Sequence, residues 1–203
     1  MSLECELKYL NPDLDAVRAA LGNLGAEPLG RCFEENLVLD DQARSLKKRG
    51  LLLRLRRAGG VSTLTIKQPA RRDAACKVCA EHETVVSAFA ETLAGLEALG
   101  FVPAFVYEKV RETWRLSGCS ICLDRLPFGD FVEIEGPEDA LRSCATALGL
   151  DGALTSRETY HALNMAWRRA RGLPEDENFV FVEPERSHLL AEAETSAGQP
   201  IKD

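Results

Sequence analysis

The first ten residues, MSLECELKYL (1–10), guide the interpretation of the other strands because charged and apolar side chains alternate along them. Glu4, Glu6 and Lys8 stand two residues apart, with Cys5 and Leu7 between them. A period of two predicts a β-strand with one charged face and one apolar face. In an antiparallel sheet the charged face usually meets water. The question is whether the other strands give this face a different environment.

Length, composition and charge limit the possible classes of protein. The chain has 203 residues, of which 45% are hydrophobic and 28% charged, enough for one packed domain. The net charge of −7 argues against general binding to nucleic acid or to an anionic membrane surface. No secretory leader pattern and no long apolar run is visible. We therefore expect a cytoplasmic protein.

Eight segments of the chain have the composition and periodicity of strands. Most are joined by hairpins such as the one around Ala58, Gly59 and Gly60, and helices are inserted between them. The pattern predicts an α+β fold in which eight antiparallel strands close into a β-barrel. Residues 1–172 are interpreted as the barrel domain. Residues 173–203 form a C-terminal extension, in which NFVFVEPE (178–185) allows one more strand before a tail.

The charged faces recur on the other strands. Arg54 and Arg56 share a face, as do Lys109 and Arg111. Two arrangements fit this pattern: the charged faces meet solvent, or they line the inside of the barrel while the helices cover its apolar outside. Acids and bases are segregated by strand, which favours a charged interior.

A charged interior has a specific chemical requirement. Buried carboxylates need cations, and buried lysines and arginines need anions. A polyphosphate carried by a divalent metal ion supplies both, since carboxylate and phosphate oxygens suit Mg²⁺ or Mn²⁺. No P-loop pattern appears, so a phosphate cradle of backbone amides is not expected.

Two cysteine pairs have the spacing of a zinc site, Cys76 with Cys79 and Cys119 with Cys122. Both lie in or beside strands, where residues i and i+3 point to opposite faces. Neither has the glycine or proline of a zinc knuckle between its cysteines. We therefore interpret the cysteines as reduced, structural thiols.

Several motifs together resemble one known family. ECELK (4–8) matches the ExExK signature of the CYTH family, the triphosphate tunnel metalloenzymes. The signature is accompanied by LLLRLRR (51–57), LTIKQP (64–69), AEHETVV (80–86), YEKVRETW (107–114), LDRLPFGDFVEIEG (123–136) and SRETYHAL (156–163). The resemblance spans residues 3 to about 165 and is strongest to the bacterial class IV adenylyl cyclase-like branch.

The resemblance implies an eight-stranded tunnel, often found in homodimers, and a Mg²⁺- or Mn²⁺-dependent reaction on a triphosphate. Cys79 stands where the family often has an arginine, and Lys77 on the same face is a partial replacement. Carried over by position, the metal-binding residues are Glu4, Glu6, Glu133 and Glu135. The substrate-binding residues are Lys8, Arg54, Arg56, Lys67, Lys77, Arg111 and Asp124, and the catalytic residues are Glu81, Glu83 and Lys109.

Three functions remain open. A triphosphatase, acting on inorganic tripolyphosphate, ATP or thiamine triphosphate, is favoured because it needs only water and the phosphate site. The alternative is a class IV adenylyl cyclase, which also needs an adenine site and an oriented 3′-hydroxyl. The third is a polyphosphate or nucleotide binder without turnover, since a shared fold does not fix function.

Overall fold

The computed structural model of the protein describes the backbone of residues 2–69 and 77–197, and the side chains of these ranges except 2–4, 77–78 and 194–197. The strands are β1 (Ser2–Leu10), β2 (Glu27–Asp40), β3 (Leu52–Ala58), β4 (Val61–Lys67), β5 (Lys77–Val86), β6 (Val102–Leu116), β7 (Cys119–Leu126), β8 (Gly129–Gly136) and β9 (Thr155–Ser156). The helices are α1 (Leu14–Asn23), α2 (Ser45–Lys48), α3 (Phe89–Ala98), α4 (Glu138–Ala147), α5 (Tyr160–Ala170) and α6 (Glu185–Ala197).

The strands form one antiparallel sheet that returns on itself. Its order is β5-β4-β3-β2-β6-β7-β8-β1-β9, and β1 pairs in addition with β5. In that additional pairing Glu6 lies opposite Lys77, while on the other side of β1 Glu6 lies opposite Glu135. Strands β1 to β8 therefore make an antiparallel barrel. This confirms the α+β fold and the eight-stranded tunnel predicted from the sequence.

The apolar faces of the strands lie on the outside of this barrel, under the helices. Val17 and Leu21 of α1 and Leu141 of α4 pack in one cluster with Ile121 and Ile134 of the barrel wall. Leu21 and Ile121 are both 0% exposed, and burial of a side chain of this kind stabilises the fold by about 1.5–3 kcal/mol. Because side chains alternate along each strand, the charged faces must point inward.

A second outer cluster shows why the C-terminal extension is not a tail. Leu189 and Ala193 of α6 are buried against Phe33, Val110 and Phe181. The prediction of a tail after about residue 186 is therefore wrong, because these two residues, one helical turn apart, find an apolar surface on β2 and β6. The strand allowed in NFVFVEPE reduces to a single parallel bridge, between Tyr107 and Phe179.

An outward-facing glutamate anchors the same extension. Glu108 is 6% exposed, and its carboxylate accepts hydrogen bonds from the backbone N–H of Phe181, at 3.0 Å, and from Nε of Arg186, at 2.8 Å. The backbone N–H of Glu108 also donates to the carbonyl oxygen of Phe179, which adds to the anchor. None of the helices in the described ranges is long and apolar enough to cross a membrane.

The cysteines follow the alternation of the strands. Cys119 packs in the outer cluster, whereas Cys122 is on the inward parity, with Sγ 4.0 Å from Oγ1 of Thr113. Burial raises the pKa of Cys122 to about 11, so its thiol keeps its proton at neutral pH. Cys76 lies outside the described residues. Cys5 is disulfide-bonded.

Candidate active site

The barrel encloses a cavity of about 470 Å³ into which the charged faces point. Glu4 and Lys77 lie outside the residues whose side chains are described. Asp124 is 0% exposed and is not among the residues that line the cavity. Eleven of the residues predicted from the sequence line the cavity: Glu6, Lys8, Arg54, Arg56, Lys67, Glu81, Glu83, Lys109, Arg111, Glu133 and Glu135.

Strand register sets opposite charges side by side in this wall. Lys8 on β1 lies directly opposite Glu133 on β8, and Arg111 on β6 lies opposite Asp124 on β7. Directly opposite residues of an antiparallel pair have Cβ atoms about 5 Å apart, close enough for their side chains to interact. The alternation of charged and apolar residues in the sequence thus produces a network of ion pairs in the structure.

One wall of the cavity is organised around Arg111 and Lys8. Arg111 donates to Asp124 at 2.7 and 2.5 Å and to Glu133 at 2.5 Å. Nζ of Lys8 lies 3.2 Å from Glu133 and 3.1 Å from Glu6. Burial disfavours the charged amine, but the two carboxylates outweigh burial and raise the pKa of Lys8. Lys8 is therefore a fixed positive charge at neutral pH.

The opposite wall is built by β3, β4 and β5. Arg56 donates to both carboxylate oxygens of Glu83 at 3.2 Å, and Nζ of Lys67 lies 2.5 Å from Glu81. Arg54 is 7% exposed and donates to Oγ1 of Thr65 at 3.2 Å. Each cation of this wall is held in the cavity by a side chain of another strand.

Two residues of the site were not predicted from the sequence. Glu34 on β2 is 2% exposed and lies 3.4 Å from Arg56 and 3.6 Å from Lys109. Burial would raise the pKa of Glu34, but the surrounding cations outweigh it and lower the pKa to about 2. The ring of Tyr160 lies under Nζ of Lys8, 4.4 Å from the ring centroid, and its hydroxyl donates to Asp124 at 2.7 Å. The sequence contained a signal for each of these two residues. Glu34 lies in the segment CFEENLVLD, and Tyr160 lies in the family motif SRETYHAL.

Some polar atoms of the tunnel wall have no hydrogen-bond partner within the protein. Both amide atoms of Asn36 and Nε of Arg54 are buried without a partner among the described residues. Buried polar atoms are satisfied in the large majority of cases, by protein or by ordered water. The interior therefore has donors and acceptors to spare for a polar ligand.

The acidic residues of the cavity offer carboxylate oxygens, which are suitable ligands for a hard divalent ion. Glu6 and Glu135 face each other across β1 and β8, and Glu133 is the next inward residue of β8. Carboxylate oxygens are the ligands that Mg²⁺ prefers in proteins. Among the side chains described, no three potential ligands are already gathered around one point. The donor chemistry fits the ion, and Lys8 now holds the oxygens of Glu6 and Glu133.

A second charged group, here called the mouth cluster, consists of Arg44, Lys47, His161 and Glu177. Glu177 accepts from Arg44, from Nζ of Lys47 at 2.5 Å and pairs with Nε2 of His161 at 2.9 Å. Burial, with the charge of Lys47, lowers the pKa of His161, so its ring is neutral at pH 7. Arg44, Lys47 and His161 also line the cavity. Sequence analysis did not single out this cluster.

Comparisons with known proteins bear directly on the family. Residues 2–144 match the sequence model of the CYTH domain. A candidate adenylate cyclase from Vibrio parahaemolyticus has a similar structure, with 23% identity, a TM-score of 0.69, and coverage of 80% of this chain and 98% of that one. A Pyrococcus horikoshii protein gives 25% identity, a TM-score of 0.67, and coverage of 80% and 98%.

A third similar structure belongs to a protein with triphosphatase activity. It is a candidate adenylyl cyclase from Hippeastrum, described as having a dominant triphosphatase activity, with 17% identity, a TM-score of 0.58, and coverage of 87% of this chain and 99% of that one. Likenesses at this level of identity show a shared fold alone.

No curated protein matches the sequence significantly. The CYTH match covers well over half of the chain and confirms the resemblance carried by ECELK, so this chain belongs to the CYTH domain family.

Proposed function

We propose that the protein is a Mg²⁺- or Mn²⁺-dependent triphosphatase that binds its substrate inside the barrel. One observation carries the proposal: six of the cations predicted from the sequence (Lys8, Arg54, Arg56, Lys67, Lys109 and Arg111) and five of the predicted carboxylates converge on one cavity. Ordinary surface charge would not be gathered on the inside of a barrel. Family membership supports an enzyme of the triphosphate tunnel type.

The cations are suited to the oxygens of a phosphate chain. Arginine and lysine make charge-assisted hydrogen bonds to phosphoryl oxygens, and these are stronger where water is excluded. Lys109 is 3% exposed and Arg54 is 7% exposed, so both would act from well-shielded positions. The five carboxylates, however, would repel a bare polyanion. The site therefore favours a phosphate chain that arrives with a divalent cation.

The acids of β1 and β8 would hold that cation. In this proposal Glu4, Glu6, Glu133 and Glu135 are the ligand set, with Glu4 assigned from the sequence alone. The ion would supply Lewis-acid polarisation of the phosphoryl oxygens. Lys8, released from Glu6 and Glu133, would turn its charge to the substrate while its backbone partner, the carbonyl of Glu158 at 2.8 Å, keeps it in place.

The remaining groups have roles set by their contacts. Lys109 and Arg111 would neutralise the charge that develops on the transferred phosphoryl group. Glu81 or Glu83 would orient the attacking water. Asp124 bonds both Lys109 and Arg111, is fully buried and does not line the cavity, so we assign it to positioning these cations rather than to contact with substrate.

A class IV adenylyl cyclase is the second candidate. It is favoured by one feature, the presence of aromatic side chains such as Phe105 and Tyr107 in the same cavity, against which a base could stack. The triphosphatase stays first because it needs only water and the phosphate site, whereas a cyclase also needs an adenine site and an oriented 3′-hydroxyl. Binding without turnover is the third candidate, and a homodimer and a cytoplasmic location stay predictions.

Product analysis separates the three candidates. The protein is incubated with ATP, tripolyphosphate or thiamine triphosphate and with Mg²⁺ or Mn²⁺, and orthophosphate, pyrophosphate and cyclic AMP are quantified. Orthophosphate supports the proposal, whereas pyrophosphate with cyclic AMP identifies a cyclase, and no product from any substrate leaves a binder. Lys109→Met should abolish turnover, while Lys48→Met, an exposed lysine outside the cavity, should retain it.

A further inference from the structure

The proposed phosphate site contains one aromatic ring that lies close to two of its lysines. Nζ of Lys8 lies 4.4 Å from the ring centroid of Tyr160, and Nζ of Lys109 lies 5.4 Å from the same centroid. An ammonium group within about 6 Å of a ring centroid is attracted by the negative charge of the ring face. Lys8 comes from β1 and Lys109 from β6, so the ring connects cations of two different strands. Tyr160 also lines the cavity.

Local structure brings the ring to this place. β9 pairs with β1, and Ser156 lies opposite Lys8 in that pairing. The hydroxyl of Ser156 accepts a hydrogen bond from the backbone N–H of Glu158 at 3.1 Å. Thr159 then caps the N-terminus of α5 with its side chain. Tyr160 is therefore the first residue of α5, directly after the short segment that follows β9.

Two contacts fix the orientation of the ring. The hydroxyl of Tyr160 donates to Oδ2 of Asp124 at 2.7 Å. The ring centroid of Phe131 lies 5.0 Å from that of Tyr160 at an interplanar angle of 69°, which is an edge-to-face arrangement. Asp124 and Phe131 are both buried and are therefore held by their own packing. The ring of Tyr160 thus keeps its face toward Lys8 without help from a ligand.

Lys8 needs such a contact because its carboxylate partners have a second use. Nζ of Lys8 lies 3.1 Å from Glu6 and 3.2 Å from Glu133. In the proposed function both carboxylates turn to the divalent ion, and Lys8 loses two counter-charges. Its other contacts within the described residues are the ring of Tyr160 and the backbone carbonyl of Glu158, which accepts from Nζ at 2.8 Å. Both groups are uncharged, so neither competes strongly with a phosphate for Lys8.

We propose that Tyr160 is a positioning residue whose ring holds Lys8, and less closely Lys109, at the phosphate site when the acids of β1 and β8 bind the metal ion. The inference rests on the proposed function of the cavity and adds a residue that acts on it through two lysines. A ring that only filled space would not need its face beneath two ammonium groups. The CYTH match ends at residue 144, so this role belongs to a segment beyond it.

The test is the binding of bis(methylene)triphosphonate, a triphosphate analogue without a hydrolysable P–O–P bridge. It is titrated by calorimetry, with Mg²⁺, into the wild type and the variants. Tyr160→Leu should raise the dissociation constant by about tenfold, the size of one desolvated cation–π contact. Tyr160→Phe keeps the ring and should bind almost as tightly as the wild type. Tyr160→Met is a second variant without the ring, whose flexible side chain adapts to the space left if Tyr160→Leu does not fold.

The matched control is Phe33→Leu, which removes a buried ring from the outer cluster beneath α6, away from the cavity lining. Urea unfolding checks that each variant is folded under the conditions of the titration. With tripolyphosphate as substrate, KM should rise with the dissociation constant in Tyr160→Leu and Tyr160→Met. In the same variants kcat should change less, because Lys109 keeps its contact of 3.1 Å with Asp124.

Four results would overturn the inference: no binding of the analogue to the wild type, wild-type binding in Tyr160→Leu and Tyr160→Met, an equal loss in Tyr160→Phe, or an equal loss in Phe33→Leu. Because calorimetry needs no turnover, these results are separate from failure of the proposed function. If the wild type releases no phosphate from any substrate, but only the variants without the ring bind the analogue more weakly, the positioning role is supported and the triphosphatase is not.

Discussion

Lys109 Nζ lies 3.1 Å from Oδ2 of Asp124, and their side chains are 4% and 0% exposed. Asp124 also accepts hydrogen bonds from Arg111 and from the hydroxyl of Tyr160. One carboxylate thus fixes two cations of the proposed phosphate site and the ring beneath Lys8. The stability of the barrel wall and the geometry of the site depend on the same residue.

The first prediction concerns this carboxylate. Asp124→Asn keeps the size of the side chain but leaves Lys109 and Arg111 short of one buried counter-charge. Because breaking a buried ion pair typically costs about 3–5 kcal/mol, we expect the free energy of unfolding to fall by about that amount. Urea unfolding measures it, with Asp139→Asn on the exposed first turn of α4 as control. An Asp124→Asn protein as stable as the control would contradict the ion-pair assignment.

The second prediction concerns pH. The cations around Glu34 hold its pKa at about 2, below its ordinary value of 4.5, so the unfolded chain takes up a proton before the folded one. The stability contributed by Glu34, of the order of 3 kcal/mol, is present above pH 4.5 and is lost as the pH falls from 4.5 to 2.

The measurement is the free energy of unfolding of the wild type and of Glu34→Gln between pH 2 and pH 6. The difference between the two proteins should shrink as the pH falls through this window. Glu35→Gln, the neighbour on the outer face, should follow the wild type. A difference that is constant with pH would show that Glu34 titrates normally in the folded protein.

The third prediction concerns the metal. Glu6→Gln removes one charge from the proposed ligand set, and the affinity of hard cations depends strongly on the number of charged ligands. We expect the Mg²⁺ concentration for half-maximal hydrolysis to rise by about tenfold or more. Glu4→Gln should act in the same direction, and Glu91→Gln on α3 is the matched control. Mn²⁺ titration by calorimetry without substrate gives a second measure; unchanged Mn²⁺ affinity in both variants would remove these acids from the ligand set.

The fourth prediction concerns the mouth cluster. Glu177 holds Arg44 and Lys47, and an incoming phosphate chain would compete with its carboxylate for both. Glu177→Gln should therefore lower KM by about two- to fivefold, the range expected for partly exposed charge pairs, with less effect at high salt. Glu175→Gln, an exposed acid of the same segment, is the control. A KM that rises in Glu177→Gln would mean that the glutamate orders the mouth for binding rather than competing with substrate.

Much of the site could be predicted because alternation along a strand is a local property. Arg54 and Arg56, or Lys109 and Arg111, must share a face wherever the strand goes. Glu34 was harder to assign because Glu35 follows it directly, and either acid could face inward. The structure places Glu34 inside, at 2% exposure, while Glu35 pairs with Arg186 on the outer face.

Other features depend on contacts between distant segments. Helix α6 has few apolar residues, and Leu189 becomes part of a core because Phe33 and Phe181 offer a surface to it. The mouth cluster joins Lys47 to Glu177 across 130 residues. The local periodicity of the sequence carries no information about contacts between such distant segments.

The sequence by itself determined the strands, the pairing of charge with parity and, through ECELK and its companion motifs, the family. From MSLECELKYL alone it could not be determined whether Glu6 and Lys8 face water or face the charged side chains of other strands. That was decided by the tertiary structure, because β1 must pair with β8 on one side and with β5 on the other before the barrel has an inside. Once those pairings form, the charged face of β1 becomes one wall of a shielded cavity, where its charges interact far more strongly than at a surface.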